Sequence, residues 1–299
     1  MKEESSLARP ALYLVGTPIG NLEDITLRAL RVLKEVDVIA CEDTRQTQKL
    51  LNHYAIGTRT TSYHEHNEIT KSAELVKEMQ EGASVALVTD AGMPGISDPG
   101  YRLVSLAIRH HVPVVPVPGA SAFLAALVAS GLPTDSFRFS GFLPAKRGER
   151  RTVLEGVKNS PRTQVFYEAP HRILESLEDV VEVFGASRHV VVAREVTKLH
   201  EEFLRGRAGE VVENLKSRVA VKGEITLLIR ATEDAAELGS AGQPGAAVPT
   251  YNTGVRQRVE QIMVDEKVDQ MAALKRVAKE RGLSKSEAYR EWQRDKSTS

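Results

Sequence analysis

The chain has 299 residues, of which 41% are hydrophobic and 27% charged, and its 40 basic side chains balance 40 acidic ones. These values are ordinary for a soluble globular protein, and the length allows two domains plus an appendage. The single Cys41 excludes an internal disulfide framework and fits a reducing cytosol. Because no N-terminal segment suits a signal peptide and no apolar run has membrane-spanning length, we expect a cytoplasmic protein.

The chain begins with residues 1–10, which are polar and are predicted to be disordered. Residues 11–15 form a short apolar strand that ends in a glycine turn at residues 16–21. This turn lacks the third glycine of a dinucleotide fingerprint and the Gly-Lys-Ser/Thr of a phosphate loop. The turn therefore supports neither nicotinamide nor nucleoside triphosphate binding.

The stretch around which the chain is organised, residues 89–100, follows a strand-like apolar run at residues 85–88. Its three glycines and two prolines force sharp turns, and the dipeptide Asp98-Pro99 is typical of a helix start. The next strand, residues 112–117, also ends in a glycine turn. Such units form parallel sheets, and their ligands bind at the carboxyl ends of the strands.

The alternation of strands and helices predicts an α/β domain over residues 11–131. After a hinge the pattern changes, and a second α/β domain is predicted over residues 132–232. Its sheet is expected to include an antiparallel pair formed by residues 190–193 and 203–205. Residues 233–250 are rich in Ala, Gly, Ser and Pro and are predicted to be a flexible linker.

Residues 251–299 are predicted to form a small helical domain that resembles a helix-turn-helix. Asp269 is expected to cap its second helix, Gly282 to end that helix, and residues 284–287 to form a capping box for a third. This segment has eleven basic and eight acidic side chains. Its basic residues are either a solvated face or a nucleic-acid contact, and the sequence leaves both interpretations open.

The strand ends indicate a class of ligand. Backbone N–H groups at the glycine turns suit a carboxylate or a zwitterion, and a strand-end acid such as Asp90 suits ribose hydroxyls or an ammonium group. No metal site is predicted, because His64 and His66 lack cysteine partners and fit a solvated loop. No Gly-x-Ser-x-Gly elbow of a hydrolase occurs. The residues alone predict an α/β ligand-binding enzyme.

Five motifs carry a resemblance to a known family. They are Gly-Thr-Pro-Ile-Gly-Asn-Leu at residues 16–22, Glu-Asp-Thr-Arg at 42–45, Thr-Asp-Ala-Gly-Met-Pro-Gly-Ile-Ser-Asp-Pro-Gly at 89–100, Pro-Gly-Ala-Ser-Ala at 118–122 and Tyr-Glu-Ala-Pro-His-Arg at 167–172. With them the chain resembles the ribosomal RNA small subunit methyltransferase I branch of the tetrapyrrole methylase family. The likeness covers roughly residues 12–230, and the C-terminal helices resemble the domain appended in that branch.

The resemblance implies two α/β domains of tetrapyrrole methylase type, with S-adenosylmethionine in the cleft between them, and a small C-terminal helical domain. It also implies a homodimer that transfers a methyl group to the 2′-hydroxyl of a cytidine in 16S ribosomal RNA, near the decoding centre. The cofactor-binding residues that it implies are Pro18, Thr89, Asp90, Ala91, Gly92, Met93, Ser121, Ala122, Tyr167, Glu168 and Gly206.

Methyl transfer to a 2′-hydroxyl needs alignment and a base that takes the proton. Glu42 and Asp43 are the predicted candidates, since adjacent carboxylates raise each other's proton affinity, and Arg45 is expected to hold an RNA phosphate. The simpler interpretation is that one acid caps the following helix and Arg45 pairs with it. The residues predicted to contact substrate are His64, Asn67, Asp98, His171, Arg172, Lys275, Arg276 and Lys279.

Two alternatives stay open. A methyltransferase of a tetrapyrrole or of a modified histidine would share the fold and cofactor, whereas an RNA-binding protein would retain the methylase fold without its activity. The Glu-Asp-Thr-Arg and Pro-His-Arg motifs and the helical tail favour RNA. The unbroken glycine turns count against an inactive protein.

Overall fold

The computed structural model describes residue 7, residues 9–232, 259–260, 262–263, 268–280 and 289–290, and residue 292. The chain divides into two compact units, residues 1–242 and residues 243–299. Among the described residues, no helix is both long and apolar enough to cross a bilayer.

The first sheet of the larger unit is entirely parallel, with the strand order β3-β2-β4-β1-β5. Most positions of its three central strands are buried, which fits the near-continuous apolar runs of the sequence because helices cover both faces of such a sheet. Its strands are β1 (Ala11–Val15), β2 (Val38–Cys41), β3 (Thr60–Ser62), β4 (Ser84–Leu87) and β5 (Val114–Val117).

The helices that follow these strands are α1 (Leu27–Glu35), α2 (Thr44–His53), α3 (Glu68–Gln80), α4 (Tyr101–Arg109) and α5 (Ala122–Ser130). The expected helix start at Asp98-Pro99 is wrong, because α4 begins at Tyr101 after Gly100. Gly100 has a φ of 156°, and a Cβ there would lie 3.1 Å from the backbone nitrogen of Gly95. The loop closes on itself at this point, so the chain cannot enter the helix earlier.

The second sheet is mixed, with the order β6-β7-β10-β8-β9. Strands β6 and β7 are parallel, whereas the β7–β10, β10–β8 and β8–β9 pairs are antiparallel. The predicted antiparallel pair is thus confirmed as β8–β9. The strands are β6 (Phe137–Phe142), β7 (Thr163–Glu168), β8 (His189–Arg194), β9 (Glu202–Arg207) and β10 (Ile225–Ile229).

Helices pack on both faces of the second sheet. One face is covered by α6 (Arg147–Gly156), α7 (Ile173–Phe184) and α8 (Ala208–Lys216). The other face is covered by α5, whose Ala126 and Leu127 pack with Val165, Val191 and Leu228. Helix α5 therefore links the two sheets, since it follows a strand of the first and packs on the second.

The smaller unit contains the helix α9 (Gln270–Glu280). The predicted cap is confirmed, because Asp269 Oδ1 accepts a hydrogen bond of 2.8 Å from the backbone N–H of Ala272. The core of this unit contains Val259, Ile262, Ala273, Leu274, Val277 and Ala278. The predicted stop at Gly282, the capping box at 284–287 and the linker at 233–250 lie outside the described residues. The domain boundaries stay predictions.

Candidate active site

A cavity of about 400 Å³ lies where the carboxyl ends of the first sheet meet the second sheet. Its volume lies within the usual range of small-molecule sites, which is roughly 300–1,000 Å³. We call residues 9–131, which contain the first sheet, the first half of the larger unit, and residues 132–232, which contain the second sheet, its second half. From the first half, the cavity lining comprises Ile19, Thr89, Asp90, Ala91, Gly92, Met93, Ile96, Ser97, Asp98, Ser121 and Ala122. From the second half, it comprises Phe142, Tyr167, Glu168, Ala169, Pro170, Ala193, Val196, Gly223, Glu224, Ile225 and Thr226.

The wall from the first half depends on a close approach of two glycine turns. Strands β1 and β5 are neighbours, so the turns that follow them meet. A Cβ on Gly16 would lie 2.7 Å from both the Cα of Gly119 and the Sδ of Met93, and a Cβ on Gly119 would lie 2.8 Å from the Cα of Gly16. Only glycine fits at either position without displacing backbone.

The turn after β1 also holds the loop after β4. Thr17 is buried and forms a backbone bridge with Gly92, with N···O distances of 2.9 and 3.2 Å. The Thr17 hydroxyl donates to the carbonyl oxygen of Thr89 at 3.0 Å. Three strand-end loops are thereby joined into one surface that faces the cavity.

Four carboxylates gather near this surface. Glu42 and Asp43 follow β2, Asp90 follows β4, and Asp98 lies further along the same loop as Asp90. The Asp43 N–H donates to Asp90 Oδ1 at 3.2 Å, and the Thr89 hydroxyl donates to Glu42 Oε2 at 3.4 Å. The ends of β2 and β4 are therefore linked through their acids.

Asp43 is held by Arg45. Its carboxylate caps α2, accepting from the Arg45 backbone N–H at 2.8 Å, and receives the guanidinium at 3.1 Å (Nε) and 2.8 Å (Nη2). These side-chain and backbone hydrogen bonds from Arg45 lower the pKa of Asp43 to about 2. The expectation that adjacent carboxylates raise the proton affinity of Asp43 is not met, because Arg45 supplies the stronger interaction. The capping and pairing interpretation fits the geometry.

Asp98 has the opposite environment. Burial raises its pKa to about 6, Glu42 and Asp90 add to the rise through charge repulsion, and a hydrogen bond with Thr89 opposes it. The preceding Ser97 adopts a left-handed backbone with a φ of 63°, which is uncommon for a residue with a side chain. The loop thus holds Asp98 in the cavity wall in place of the predicted helix cap.

The wall from the second half presents an aromatic cluster. The Tyr167 ring lies 4.9 Å from that of Phe139 and 5.5 Å from that of Phe142, measured between centroids. Burial raises the pKa of Tyr167, and Asp98 and Glu224 contribute to the rise. The charge of Asp98 therefore acts on the Tyr167 hydroxyl across the cavity.

Glu168 follows Tyr167 and is only 2% exposed. It forms an ion pair of 2.7 Å with the Arg172 guanidinium and accepts hydrogen bonds from the Ala169 N–H at 2.7 Å and from the Ser176 hydroxyl. These three partners hold the start of α7 against the end of β7. Glu168 therefore supports the wall more than it offers its carboxylate to a ligand.

The loop after β8 reaches across to the first half. Glu195 and Thr197 have left-handed backbones, with φ values of 52° and 68°. The Thr197 hydroxyl donates to Asp24, which lies in the turn after β1. Lys198 bonds Glu195 at 2.9 Å and Glu224 at 3.2 Å, and its stem covers Gly20.

Comparison with known proteins identifies the family to which this chain belongs. The family model of the tetrapyrrole (corrin/porphyrin) methylases matches residues 11–212. A protein of Halalkalibacterium halodurans named ribosomal RNA small subunit methyltransferase I is 53% identical over 226 residues, covering 76% of this chain and 78% of the relative. The chain belongs to the tetrapyrrole methylase family, in the branch of these proteins.

Other relatives carry the same name. One from Escherichia coli O157:H7 is 49% identical over 232 residues, which cover 77% of this chain and 81% of the relative. One from Micromonospora olivasterospora is 44% identical over 266 residues, which cover 89% and 83%. The crystal structure of a diphthine synthase is similar in fold, with a TM-score of 0.58 and 16% identity over 74% of this chain and 90% of that one. The predicted fold class is thus confirmed.

The methylase cavity brings together many of the predicted site residues. Nine of the eleven predicted cofactor residues line it, together with Asp98: Thr89, Asp90, Ala91, Gly92, Met93, Ser121, Ala122, Tyr167 and Glu168. Pro18 lies beside the lining residue Ile19 without lining the cavity itself. Gly206 pairs with Val190, three positions along β8 from the lining residue Ala193, so the register places Gly206 away from the cavity.

The other predicted substrate residues lie outside the lining. Asn67 accepts from the His64 N–H at 2.9 Å and donates to the Ser62 carbonyl at 3.2 Å, so it shapes the turn after β3. His171 is exposed, and Arg172 is bound to Glu168. In the smaller unit, Lys275 and Arg276 are exposed on α9, and Lys279 lies on the same helix.

Sequence reasoning missed twelve lining residues of the methylase cavity. They are Ile19, Ile96, Ser97, Phe142, Ala169, Pro170, Ala193, Val196, Gly223, Glu224, Ile225 and Thr226. Five of these fall inside the motifs and were available from them. The six from residues 193–196 and 223–226 reach the cavity because β10 lies between β7 and β8, which no motif indicates. Within the described part of the chain, no group of three or more metal-ligating side chains is found.

Proposed function

We propose that this protein is an S-adenosylmethionine-dependent methyltransferase that methylates the 2′-hydroxyl of a cytidine ribose in 16S ribosomal RNA. The observation that carries the proposal is the cavity itself, in which residues from three strand-end loops with family motifs face an aromatic wall. The relatives' shared name directs the choice of ribosomal RNA. The proposed compartment is the cytoplasm, where ribosomal RNA is found.

The residues of the cavity fit S-adenosylmethionine, which supplies an electrophilic methyl group on a sulfonium. Ile19, Met93 and Val196 offer apolar surface of the kind that an adenine ring needs. The exposed Asp90 suits ribose hydroxyls or an ammonium group, and the turn at Ser121 and Ala122 offers backbone N–H groups at the start of α5. Pro18 and Gly206 stay predictions that the cavity does not support.

The chain's own part in the reaction is to align a ribose hydroxyl and to receive its proton. Asp43 is a poor proton acceptor, because a carboxyl group with a pKa of about 2 binds a proton weakly at neutral pH. We therefore assign Asp43 to positioning Arg45, whose side chain is 88% exposed. Arg45 is proposed to contact an RNA phosphate, and Glu42 stays a candidate base.

RNA binding is proposed for two further places. The turn after β3 offers the half-buried His64 beside Asn67, whose side-chain oxygen accepts from the His64 N–H. Together with His171 and Arg172, these residues would border the RNA. The exposed Lys275 and Arg276 of α9, with Lys279, are proposed as phosphate contacts of the smaller unit.

We also propose that the protein is a homodimer. Helix α5 is apolar around its whole circumference, yet Leu124 and Val128 are 43% and 74% exposed. Large exposed apolar side chains on an ordered helix are typical of a surface that a second protein covers. A second copy of this chain would remove that surface from water.

Two alternatives are distinguished by their substrates. A crystal structure of uroporphyrin-III-C-methyltransferase from Thermus thermophilus has a TM-score of 0.51 at 22% identity, covering 74% of this chain and 94% of that one. A small-molecule methyltransferase would act on a tetrapyrrole in the absence of RNA. A non-catalytic RNA-binding protein would bind the RNA without using the methyl donor.

The first test is calorimetric titration of the purified protein with S-adenosylmethionine, with NADH and ATP as controls. We expect saturable binding of the methyl donor alone. The second step is incubation with unmodified 16S ribosomal RNA or small ribosomal subunits and radiolabelled donor, followed by mass spectrometry of the nucleosides. Label in 2′-O-methylcytidine is expected. Label transferred to a tetrapyrrole but never to RNA would overturn the proposal.

The role of the smaller unit is tested by salt dependence. Replacing Lys275, Arg276 and Lys279 by Ala should weaken RNA binding and lower the slope of log affinity against log salt by about one for each phosphate group that is no longer bound. S-adenosylmethionine affinity serves as the control and should not change. An unchanged slope would remove these residues from the RNA interface.

A further inference from the structure

Asp98 is one of four acids that line the cavity, with Asp90, Glu168 and Glu224. The other three have partners: Glu168 is bound by Arg172 and Ser176, Glu224 is paired with Lys198, and Asp90 accepts from the Asp43 N–H. The left-handed Ser97 precedes Asp98 and the closed turn between Gly95 and Gly100 surrounds it. The backbone therefore fixes the position of Asp98 in the cavity wall.

The groups that face Asp98 come from both sides of the cavity. From the first half, these are the Thr89 hydroxyl and the carboxylates of Glu42 and Asp90. From the second half it is Tyr167, which lines the cavity; Glu224 also lines the cavity but acts on Tyr167 and is paired with Lys198. No cation is among the groups that shift the pKa of Asp98, unlike that of Asp43.

We propose that the Asp98 carboxylate is a catalytic residue that accepts the proton of the ribose hydroxyl during methyl transfer. This inference rests on the proposed function. In the step, the hydroxyl oxygen forms a bond to the methyl carbon, and the carbon–sulfur bond breaks with its electron pair going to sulfur. The hydroxyl proton passes to Asp98, and solvent later removes it.

The methyl donor is positively charged before transfer and its product is neutral afterwards. This change in charge should shift the pKa of Asp98 between the two stages. A nearby sulfonium favours the ionised carboxylate, so Asp98 is ready to accept a proton before transfer. Transfer leaves a neutral thioether, so burial and, to a smaller extent, the carboxylates of Glu42 and Asp90 again raise the pKa of Asp98. The pKa of about 6 without ligand places this switch near neutral pH, where general bases work best.

The first experiment measures binding. Dissociation constants for S-adenosylmethionine and for the neutral product S-adenosylhomocysteine are measured by calorimetry between pH 5 and pH 8. In the wild type, affinity for the sulfonium should rise several-fold as pH increases through about 6, and affinity for the thioether should not. Asp98→Asn should remove this pH dependence and leave the affinity for the thioether within about twofold.

The second experiment measures single-turnover methylation of the small ribosomal subunit between pH 5 and pH 9. Asp98→Asn should lower the rate constant by about 10²–10⁴ and remove its rise near pH 6. Glu42→Gln tests the rival acid and should keep that rise. The matched control is Asp135→Asn, which removes a charge from an exposed position outside the cavity lining and should change neither quantity.

Three results would overturn the proposal. One is an Asp98→Asn enzyme with the wild-type rate and pH profile, and a second is loss of the pH 6 step in Glu42→Gln but not in Asp98→Asn. The third is loss of thioether binding in a folded Asp98→Asn protein, which would make Asp98 a ligand contact. A wild type that binds the donor but methylates no RNA would instead overturn the proposed function, and this proposal with it.

Discussion

The two walls of the cavity are built by opposite means. The wall from the first half depends on backbone that approaches backbone, at Gly16 against Gly119 and at Thr17 against Gly92. The wall from the second half depends on charged side chains, with the buried Glu168 bound by Arg172 and Ser176, and the half-buried Lys198 joining Glu195 to the exposed Glu224. One wall excludes side chains, and the other requires particular ones.

This difference predicts different responses to mutation. A close contact between two backbone segments is disrupted when a side-chain atom is added, because the segments must separate to relieve the overlap. A buried ion pair fails when one partner is removed, because the remaining charge is left without a partner in a poorly solvated place. Addition should therefore damage the first wall, and deletion the second.

The largest effect is expected for Glu168→Ala, which deletes the central acceptor of the second wall. The Arg172 guanidinium would lose this partner, and its Nε already has none. We expect the free energy of unfolding to fall by about 3 kcal/mol in urea denaturation. The control Glu74→Ala breaks an exposed pair with Lys71 on α3 and should cost less than about 1 kcal/mol. Equal losses of unfolding free energy in the two variants would contradict the expectation that deleting a charge damages the second wall.

Gly16→Ala should break the first wall by addition. The new methyl group would lie 2.7 Å from Cα of Gly119, so the turns must separate, at a cost of about 1–3 kcal/mol. S-adenosylmethionine affinity in calorimetry should fall at least tenfold. Gly57→Ala is the matched control, because a Cβ there meets nothing within 4 Å. If both variants bind the donor equally, the close approach does not matter for the site.

Asp98→Asn should stabilise the protein at high pH. The pKa of Asp98 is about 6 when folded, above the reference 3.8, so the folded state binds this proton more tightly than the unfolded state. That contribution is complete below about pH 4 and is lost as pH rises through about 6. Above pH 7 the wild type carries an unfavourable charge. After allowance for its partial exposure, its removal should add about 1–2 kcal/mol.

The stability prediction is checked by urea denaturation at pH 4 and pH 8. The Asp98→Asn variant should exceed the wild type at pH 8 and match it at pH 4. Asp135→Asn, which lies on the surface, should match the wild type at both. An advantage of equal size at both pH values would mean that the shifted pKa is not its cause.

The smallest effect is expected for Arg45→Ala, which tests why the pKa of Asp43 is lowered while that of Asp98 is raised. Without the guanidinium, the pKa of Asp43 should rise from about 2 towards the reference 3.8, since Arg45 supplies the largest hydrogen bond. Carboxyl carbon NMR with labelled aspartate measures the change. Lys49→Ala on the same helix removes a charge that does not contact Asp43 and is the control. An unmoved Asp43 would assign its low pKa to the helix N-terminus alone.

Local chemistry made much of the fold predictable. The apolar runs of β1, β2 and β4 are continuous because both faces of a parallel sheet are covered. Asp269 caps α9 as its side chain dictates. The short β3 was not predicted, since three half-buried residues carry no period.

The errors at the site arose where two local signals competed. Asp98 followed by proline satisfies the chemistry of a helix cap, yet the Gly95–Gly100 contact closes the loop first. Asp43 beside Glu42 suggests mutual repulsion, yet Arg45 two residues later neutralises it. The Gly95–Gly100 contact depends on the folded backbone, whereas the Asp43–Arg45 pair is local and is the capping and pairing interpretation that the sequence already offered.

The sequence by itself determined the α/β class, the glycine turns and the acids at strand ends, because each depends on neighbours along the chain. Only the tertiary structure decided which of those acids enters the cavity. It also decided the second wall, since residues 193–196 and 223–226 meet there through the pairing of β10 with β7 and β8. Strand order depends on packing across the whole unit. Contacts between strands that are far apart in sequence leave no local pattern in the chain.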